Sequence, residues 1–451
     1  MRHSPFAIRL STAVVLLIGS LGTVPARAAT VDAGGNSVAP SANAVTHWNA
    51  IAVNTLIEFP PPAGGAPPAL QVNLAMVQGA VYDAINAIEP RHQPYLLETR
   101  FAPRASKEAA TATAAHHVLS SIVSSVPQRI PFPNRASVLE TLDTEYAESL
   151  AALPDGLSRT EGIAAGEAAA DAMIAAREGD GRFGPSPWVA STAVGHWQPL
   201  VNPDGAQILD PAAWVAGVRP FLLESSSQFR TDGPNALTSS AWAADFNEVK
   251  SLGSEKSTVR TPEQTHIALW WQSNGGPTVQ WNGTARQLVD NPEYGVGIDD
   301  SALLFAKLNL AGADAAISCW SDKYYWDFSR PWQAIHEADK DGNPATEPDP
   351  SWTPLIVAPY PENPSGHLSL DGAHLQVLQT FFGTDEIAFD VSSSRFDGET
   401  RHFERFSQPL QEIIEARIWA GLHYRTADVQ ARQLGERVVE YMQQQYFQPL
   451  N

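Results

Sequence analysis

A single cysteine, Cys319, stands in 451 residues. No intramolecular disulfide can form, and no zinc or iron–sulfur site that needs several cysteines. Cations are scarce too. Lysine and arginine total 29 against 49 acids, a formal charge of -20 and a pI near 4.9. A chain with no excess of positive charge cannot neutralise a run of phosphates, which excludes general nucleic-acid or anionic-membrane binding. Charged residues make up only 17% against 43% hydrophobic, so a disordered tail or a fibre is excluded as well. Segments alternating polar and apolar are few, and no repeat of fixed period occurs. Beyond the N-terminus, no uninterrupted apolar run reaches the about 20 residues of a membrane crossing. The nearest, Ser301 to Cys319, contains Lys307, Asn309 and Asp314 and reads as a buried or amphipathic helix.

What is present begins with an address. Arg2 and Arg9, an apolar stretch from Leu10 to Gly22 and the small-x-small pattern Ala26-Arg27-Ala28 predict a signal peptide over residues 1–28 and an exported, periplasmic or secreted, protein. A low-complexity linker follows over 29–44. Helical periodicity then predicts helices at about His47–Glu58, Leu70–Glu89, Ser106–Val126, Arg135–Leu153, Arg159–Arg177, Ala241–Leu252, Pro262–Gln272, Ser301–Cys319, Leu368–Phe382, Gln408–His423 and Asp428–Tyr446. Residues 178–235, rich in Gly, Pro and Trp, predict irregular packed loops. The expected class is all-α, with long Pro/Gly-rich loops.

Three short motifs hold the cations that the net charge hides. In Lys323-Tyr-Tyr-Trp-Asp-Phe-Ser-Arg330-Pro331 the spacing of seven predicts both cations on one helical face, where they repel unless an anion lies between them. In Pro364-Ser365-Gly366-His367 a cap-type serine and a glycine open a helix. Its free N–H groups would seat an anion, and the histidine beside them could move a proton near neutral pH. In Arg417-Ile-Trp-Ala-Gly-Leu-His423 a spacing of six turns roughly 240° on a helix. Convergence therefore requires His423 at the helix end, with Asp428 able to cap the next helix. Permanent cations, a helix start and two histidines suit a tetrahedral oxyanion passing to five coordination, with charge spread over equatorial oxygens.

This order of motifs resembles the superfamily of vanadium-dependent haloperoxidases and type 2 phosphatidic acid phosphatases, in its bacterial haloperoxidase-related branch. Trp320, three before Lys323, and the stretches His47-Trp48-Asn49 and Ala80 to Ile88 resemble that branch too. The resemblance implies two packed helical bundles, taken as 45–235 and 236–451, with the pocket in the second. It implies that Lys323, Arg330 and Arg417 hold vanadate oxygens, with Ser365 and Gly366 adding hydrogen bonds. His423 would be the apical vanadium ligand and His367 the acid–base residue. The implied cofactor is vanadate, and the implied reaction is oxidation of a halide by hydrogen peroxide. Tyr360, His374 and Asp428 join Trp320 as possible pocket residues. The chain departs from the family pattern at Ala416 and Ala427, where serine and aspartate are frequent. It departs again at Gln272, Ser273 and Asn274, where an acid is frequent.

Two other functions use the same residues: an acid phosphatase acting on phosphoesters through a phosphohistidine at His423, without cofactor, and a secreted binding protein with an inert pocket. Elsewhere, Asp339 to Asn343 resembles half a calcium loop but reads as a polar turn, since Pro348 stands where the loop needs glutamate. His116-His117 reads as packing or solvent-facing, Cys319 as a small buried hydrophobe, and Asn282-Gly283-Thr284 as a glycosylation sequon of use only in a glycosylating host.

Overall fold

The computed structural model describes residues 43–396 and 398–450. The expected signal peptide and residues 29–42 of the expected linker lie outside that range. Among the described residues there are thirteen α-helices: α1 (Ala44–Ile57), α2 (Pro67–Ile88), α3 (Lys107–Ser125), α4 (Arg135–Ala151), α5 (Leu157–Ala176), α6 (Ser240–Leu252), α7 (Pro262–Trp270), α8 (Gly276–Asp290), α9 (Ile298–Trp326), α10 (Pro331–His336), α11 (Gly366–Phe382), α12 (Gln408–Trp419) and α13 (Arg425–Gln445). The all-α reading holds, and helix starts follow local chemistry. Ser106 Oγ accepts from the Ala109 N–H at 3.1 Å to open α3. Thr261 and Gln264 form a reciprocal capping box ahead of α7, with Pro262 in its first turn.

Sequence periodicity misses α8. Its positions Thr278, Gln280, Asn282 and Thr284 are polar yet buried alongside Trp281, Ala285, Leu288 and Val289, so the apolar stripe is confined to its second half. Of these polar side chains Asn282 is the one that pairs among the described residues: it donates to the Thr278 carbonyl at 2.8 Å and accepts from Asn49 at 2.8 Å and from Asn309 at 2.9 Å. Asn282 is thereby closed to glycosylation in the folded chain. The short α10 and two small antiparallel hairpins also escape the reading. The hairpins are β1 (Leu200–Val201) with β2 (Gln207–Ile208), and β3 (Phe389–Ser392) with β4 (Thr400–Phe403), in which Phe389 faces Phe403. Apart from β1, β2 and a 3-10 turn at Ala213–Gly217, residues 178–235 are irregular as expected.

Helices α2, α3 and α5 pack on one another with α4 on the outside of α3. Helices α9, α11 and α13 form the second group, joined by α8 and α12. The seam between them is α2 against α9, and one hydrophobic core runs across it from Val45 to Phe447. Helix α9 is long and apolar enough to cross a membrane, but 94% of its apolar stretch is buried inside the fold. Its Asp314 carboxylate accepts the N–H groups of Phe221, Leu222 and Leu223 at 2.6–2.8 Å, which fixes the irregular segment on the helix. Helices α11 and α13 touch through glycine. A Cβ on Gly372 would lie 2.5 Å from the Arg432 carbonyl oxygen, and one on Gly435 2.2 Å from that of Ser369. Any side chain there would push apart two helices that carry expected site residues.

Candidate active site

The spacing of Lys323 and Arg330 predicts a shared helical face, and the structure corrects this. Helix α9 stops at Trp326, Asp327 turns left-handed with φ 45° and ψ 42°, and Arg330 is extended at φ -67° and ψ 155° ahead of Pro331. Proline disfavours the helical region for the residue before it, so the helix cannot run through Arg330. The cations converge because the chain reverses between them. Both meet Tyr360, whose ring centre is 5.2 Å from Lys323 Nζ and 4.8 Å from Arg330 Cζ.

Lys323 is fully buried. Its ammonium donates to the carbonyls of Pro361 at 3.2 Å, of Glu362 at 3.0 Å and of Pro364, and so moors the strand of chain that delivers the second motif. Burial pushes its pKa down to about 8. That second motif opens α11 as expected, with Ser365 as its N-cap residue. The Ser365 hydroxyl does not cap the helix and finds no hydrogen-bond partner among the described residues. A Cβ on Gly366 would lie 2.9 Å from Trp320 Cη2, so only glycine lets α11 start this close to α9. The Trp320 indole is itself anchored, donating to Asp210 at 2.9 Å. His367 is half-buried, and its Nε2 has no partner among the described residues. Burial and the Arg417 charge hold its imidazole well below the usual range, hence neutral.

The third motif ends as its spacing requires. Helix α12 stops at Trp419, Gly421 reverses the chain at φ 71°, and His423 lies in the link before Tyr424, the N-cap residue of α13. Arg330 donates from Nε to the Tyr360 carbonyl and from Nη1 to the Leu422 carbonyl, both at 2.8 Å. The same Nη1 lies 3.3 Å from His423 Nε2. On the other side of the ring, His423 Nδ1 is 2.8 Å from Glu362 Oε1, which also accepts the Tyr424 N–H at 3.1 Å. A guanidinium can only donate, so Nε2 is the acceptor and Nδ1 carries the proton. Burial, reinforced by the nearby cations, pushes the His423 pKa well down. The result is a neutral imidazole whose Nε2 lone pair faces the site and accepts one long hydrogen bond, from Arg330.

Asp428 neither caps α13 nor touches His423. It sits in the first turn with both carboxylate oxygens unpaired among the described residues, and burial raises its pKa well above the ordinary range. Glu362 does what Asp428 was a candidate to do. Its signal was modest but present: it is the acid two residues ahead of Pro364, in a segment with no other obvious need for a carboxylate. Burial lifts it to about 7, against the pull of Arg330 and Lys323. Asp210, in the irregular region, gave no signal. His374 lies two turns past His367, and the structure places it in the core: a Cβ on Gly312 would meet its Nε2 at 2.5 Å and Gln71 Nε2 at 2.7 Å. Its seven-residue offset is about 10 Å along the helix.

Arg417 donates from Nη2 to Gln272 Oε1 at 3.1 Å, a neutral partner in the segment where an acid is frequent. Its Nε and Nη1, with Arg330 Nη2, are buried donors lacking partners among the described residues. Unpaired buried donors are rare and cost about 1–3 kcal/mol each. Guanidinium donors beside a hydroxyl and a neutral imidazole repel a bare metal cation and fit an oxygen-rich anion; vanadate meets that description.

Comparison with known proteins finds relatives in both sequence and fold. The family model described as VCPO second helical-bundle domain matches residues 303–451. The vanadium chloroperoxidase of Curvularia inaequalis is 25% identical over 275 residues, 46% of this chain and 44% of that protein, so the chain spans under half of that relative's length. A bacterial vanadium-dependent iodoperoxidase structure superimposes with TM-score 0.72 at 22% identity, covering 89% of this chain and 97% of the other. A holo-type bacterial vanadium-dependent chloroperoxidase gives 0.64 at 16% identity, covering 85% and 92%. The three motifs lie in order within residues 303–451, the stretch that the second-bundle model matches, and the chain is related in sequence to a vanadium chloroperoxidase and shares the fold of bacterial vanadium-dependent haloperoxidases.

Proposed function

We propose that this protein is an exported vanadate-dependent haloperoxidase that oxidises a halide with hydrogen peroxide. The observation that carries the reading is the Nε2 lone pair of a neutral His423, held only by a 3.3 Å contact from Arg330 that a central atom would displace, set among buried arginine donors that lack partners among the described residues. His423 would ligate the vanadium through Nε2. Arg330 Nη2, Arg417 Nε and Nη1 and the Ser365 hydroxyl would bond its oxygens, while Lys323 supplies charge. Bound there, vanadate supplies a Lewis acid that activates peroxide. The protein's share is orientation and proton handling. His367, neutral and half-buried, takes and returns protons at Nε2, and Trp320 with Tyr360 walls the seat against water. The test is elemental vanadium content after orthovanadate incubation, with bromide, iodide and phosphomonoester turnover measured on the same sample. Stoichiometric vanadium without halide oxidation overturns the proposal. Rapid phosphoester hydrolysis inhibited by vanadate would instead make the same His423 lone pair a phosphatase nucleophile.

Two consequences can be measured directly. Glu362→Ala removes the acceptor that holds the Nδ1–H tautomer and should weaken vanadate binding by about 10–100-fold, whereas Glu362→Gln, which keeps an oxygen acceptor, should lose less. Equilibrium dialysis with vanadium analysis distinguishes the two. The second consequence concerns pH. Lys323 is charged below about 8 and neutral above it, and only the charged form attracts an anion. Affinity for sulfate, which stays a dianion throughout, should weaken as Glu362 ionises near pH 7 and fall by up to about tenfold per unit above pH 8 as Lys323 loses its proton. Calorimetric titration at several pH values checks this, and a flat profile to pH 10 would remove Lys323 from the anion's surroundings.

A further inference from the structure

The reversal that brings Lys323 and Arg330 together rests on one residue in an unfavourable backbone conformation. Asp327 is left-handed without being glycine, a state that persists only where the surroundings impose it. Those surroundings come from the irregular segment 188–198, more than a hundred residues earlier and outside residues 303–451 matched by the family model. The Asp327 carboxylate accepts from Trp188 Nε1 at 3.1 Å and pairs with His196 Nδ1 at 2.9 Å. Its carbonyl accepts the Trp197 N–H at 2.8 Å, and the Ser329 N–H reaches the Gly195 carbonyl at 2.8 Å. Gln333, just past Arg330, closes the contact: its Nε2 donates to the His196 carbonyl at 2.7 Å, and its Oε1 accepts the Gln198 N–H at 2.9 Å. The turn also grips the second motif, since the Glu362 N–H donates to the Phe328 carbonyl at 2.9 Å.

We infer that Asp327 is a positioning residue for oxyanion binding, and that segment 188–198 is the strap that holds it. The carboxylate ties the strap to the turn, and the turn sets the separation of Lys323 from Arg330. The oxyanion seat is therefore shaped by both halves of the chain. This inference rests on the oxyanion reading of the site.

The experiment compares Asp327→Ala, Asp327→Gly, Asp327→Asn and the milder Trp188→Phe in the full chain. It uses calorimetric titration with orthovanadate and inorganic phosphate, thermal denaturation, and hydrogen exchange at the Ser329 amide. Alanine and glycine should each weaken oxyanion binding about tenfold and speed exchange at Ser329, glycine showing that the carboxylate matters beyond the backbone angle. Asparagine, which tolerates the left-handed region and keeps an acceptor, should recover most of the affinity. Trp188→Phe should weaken binding in the same direction by less, and it carries the test should the alanine variant fail to fold. Wild-type affinity in the glycine variant, or losses that follow the melting temperature with no rescue by asparagine, would overturn the inference. Should the wild type bind neither oxyanion, the haloperoxidase reading fails, and exchange at Ser329 alone decides for or against the strap.

Discussion

His423→Ala should lower peroxide-dependent bromide or iodide oxidation by about a thousandfold or more, with vanadium no longer retained after dialysis. The size follows from what the side chain supplies. Arg330 and Arg417 offer the site only donors and Ser365 a weakly basic hydroxyl, whereas the His423 Nε2 lone pair is a base that can bond a central atom. Removing a single preorganised donor from an oxyanion site already costs about 10²–10³ in rate, and losing the ligand should cost no less. The fold should survive, because Glu362 keeps the Tyr424 N–H and, already lifted towards neutrality by burial, can take up a proton. The loss of its imidazole partner should cost about 1–3 kcal/mol. Turnover within tenfold of wild type, with one vanadium per chain, would be incompatible with His423 as the ligand.

The two arginines should separate binding from stability. Arg417→Ala and Arg330→Ala should each cost about 10²–10³ in halide oxidation, but only the second should markedly destabilise the protein. Arg330 is tied into the fold through the carbonyls of Tyr360 and Leu422. Its loss strands both, at about 1–3 kcal/mol each. Arg417 makes one hydrogen bond to the protein, to Gln272, and aims two further donors elsewhere. The acids near it, Asp371 and Asp428, are already pushed by burial towards their neutral forms, so its removal leaves little uncompensated negative charge. Melting temperatures measured without added oxyanion should therefore fall clearly for Arg330→Ala and only slightly for Arg417→Ala. Equal losses of stability would mean that Arg417 is a structural residue.

Much of the fold was readable because its causes are local. Apolar residues at helical spacing along α2, the serine ahead of α3 and the Thr261–Gln264 box each act within a turn or two of chain. Where burial was polar, as along α8, the same reading failed, since Asn282 finds partners on two other helices as well as along its own. The motifs showed the same division. Gly366 and the Gly421-to-His423 link were legible as breaks in helices. The seven-residue spacing of Lys323 and Arg330 misled, because Asp327 and Pro331 end one helix and begin another between them.

By itself, the sequence determined the helical class and the kinds of side chain available for chemistry: three cations, a serine and glycine at a helix start, and two histidines. Tertiary structure alone decided their mutual arrangement and their state. Glu362 meets His423 across 61 residues, His196 meets Asp327 across 131, and Gln272 meets Arg417 across 145. No local pattern encodes such pairs. Whether an imidazole is neutral, which nitrogen holds its proton and whether a guanidinium keeps a free donor depend on burial and on partners that only the folded chain assembles.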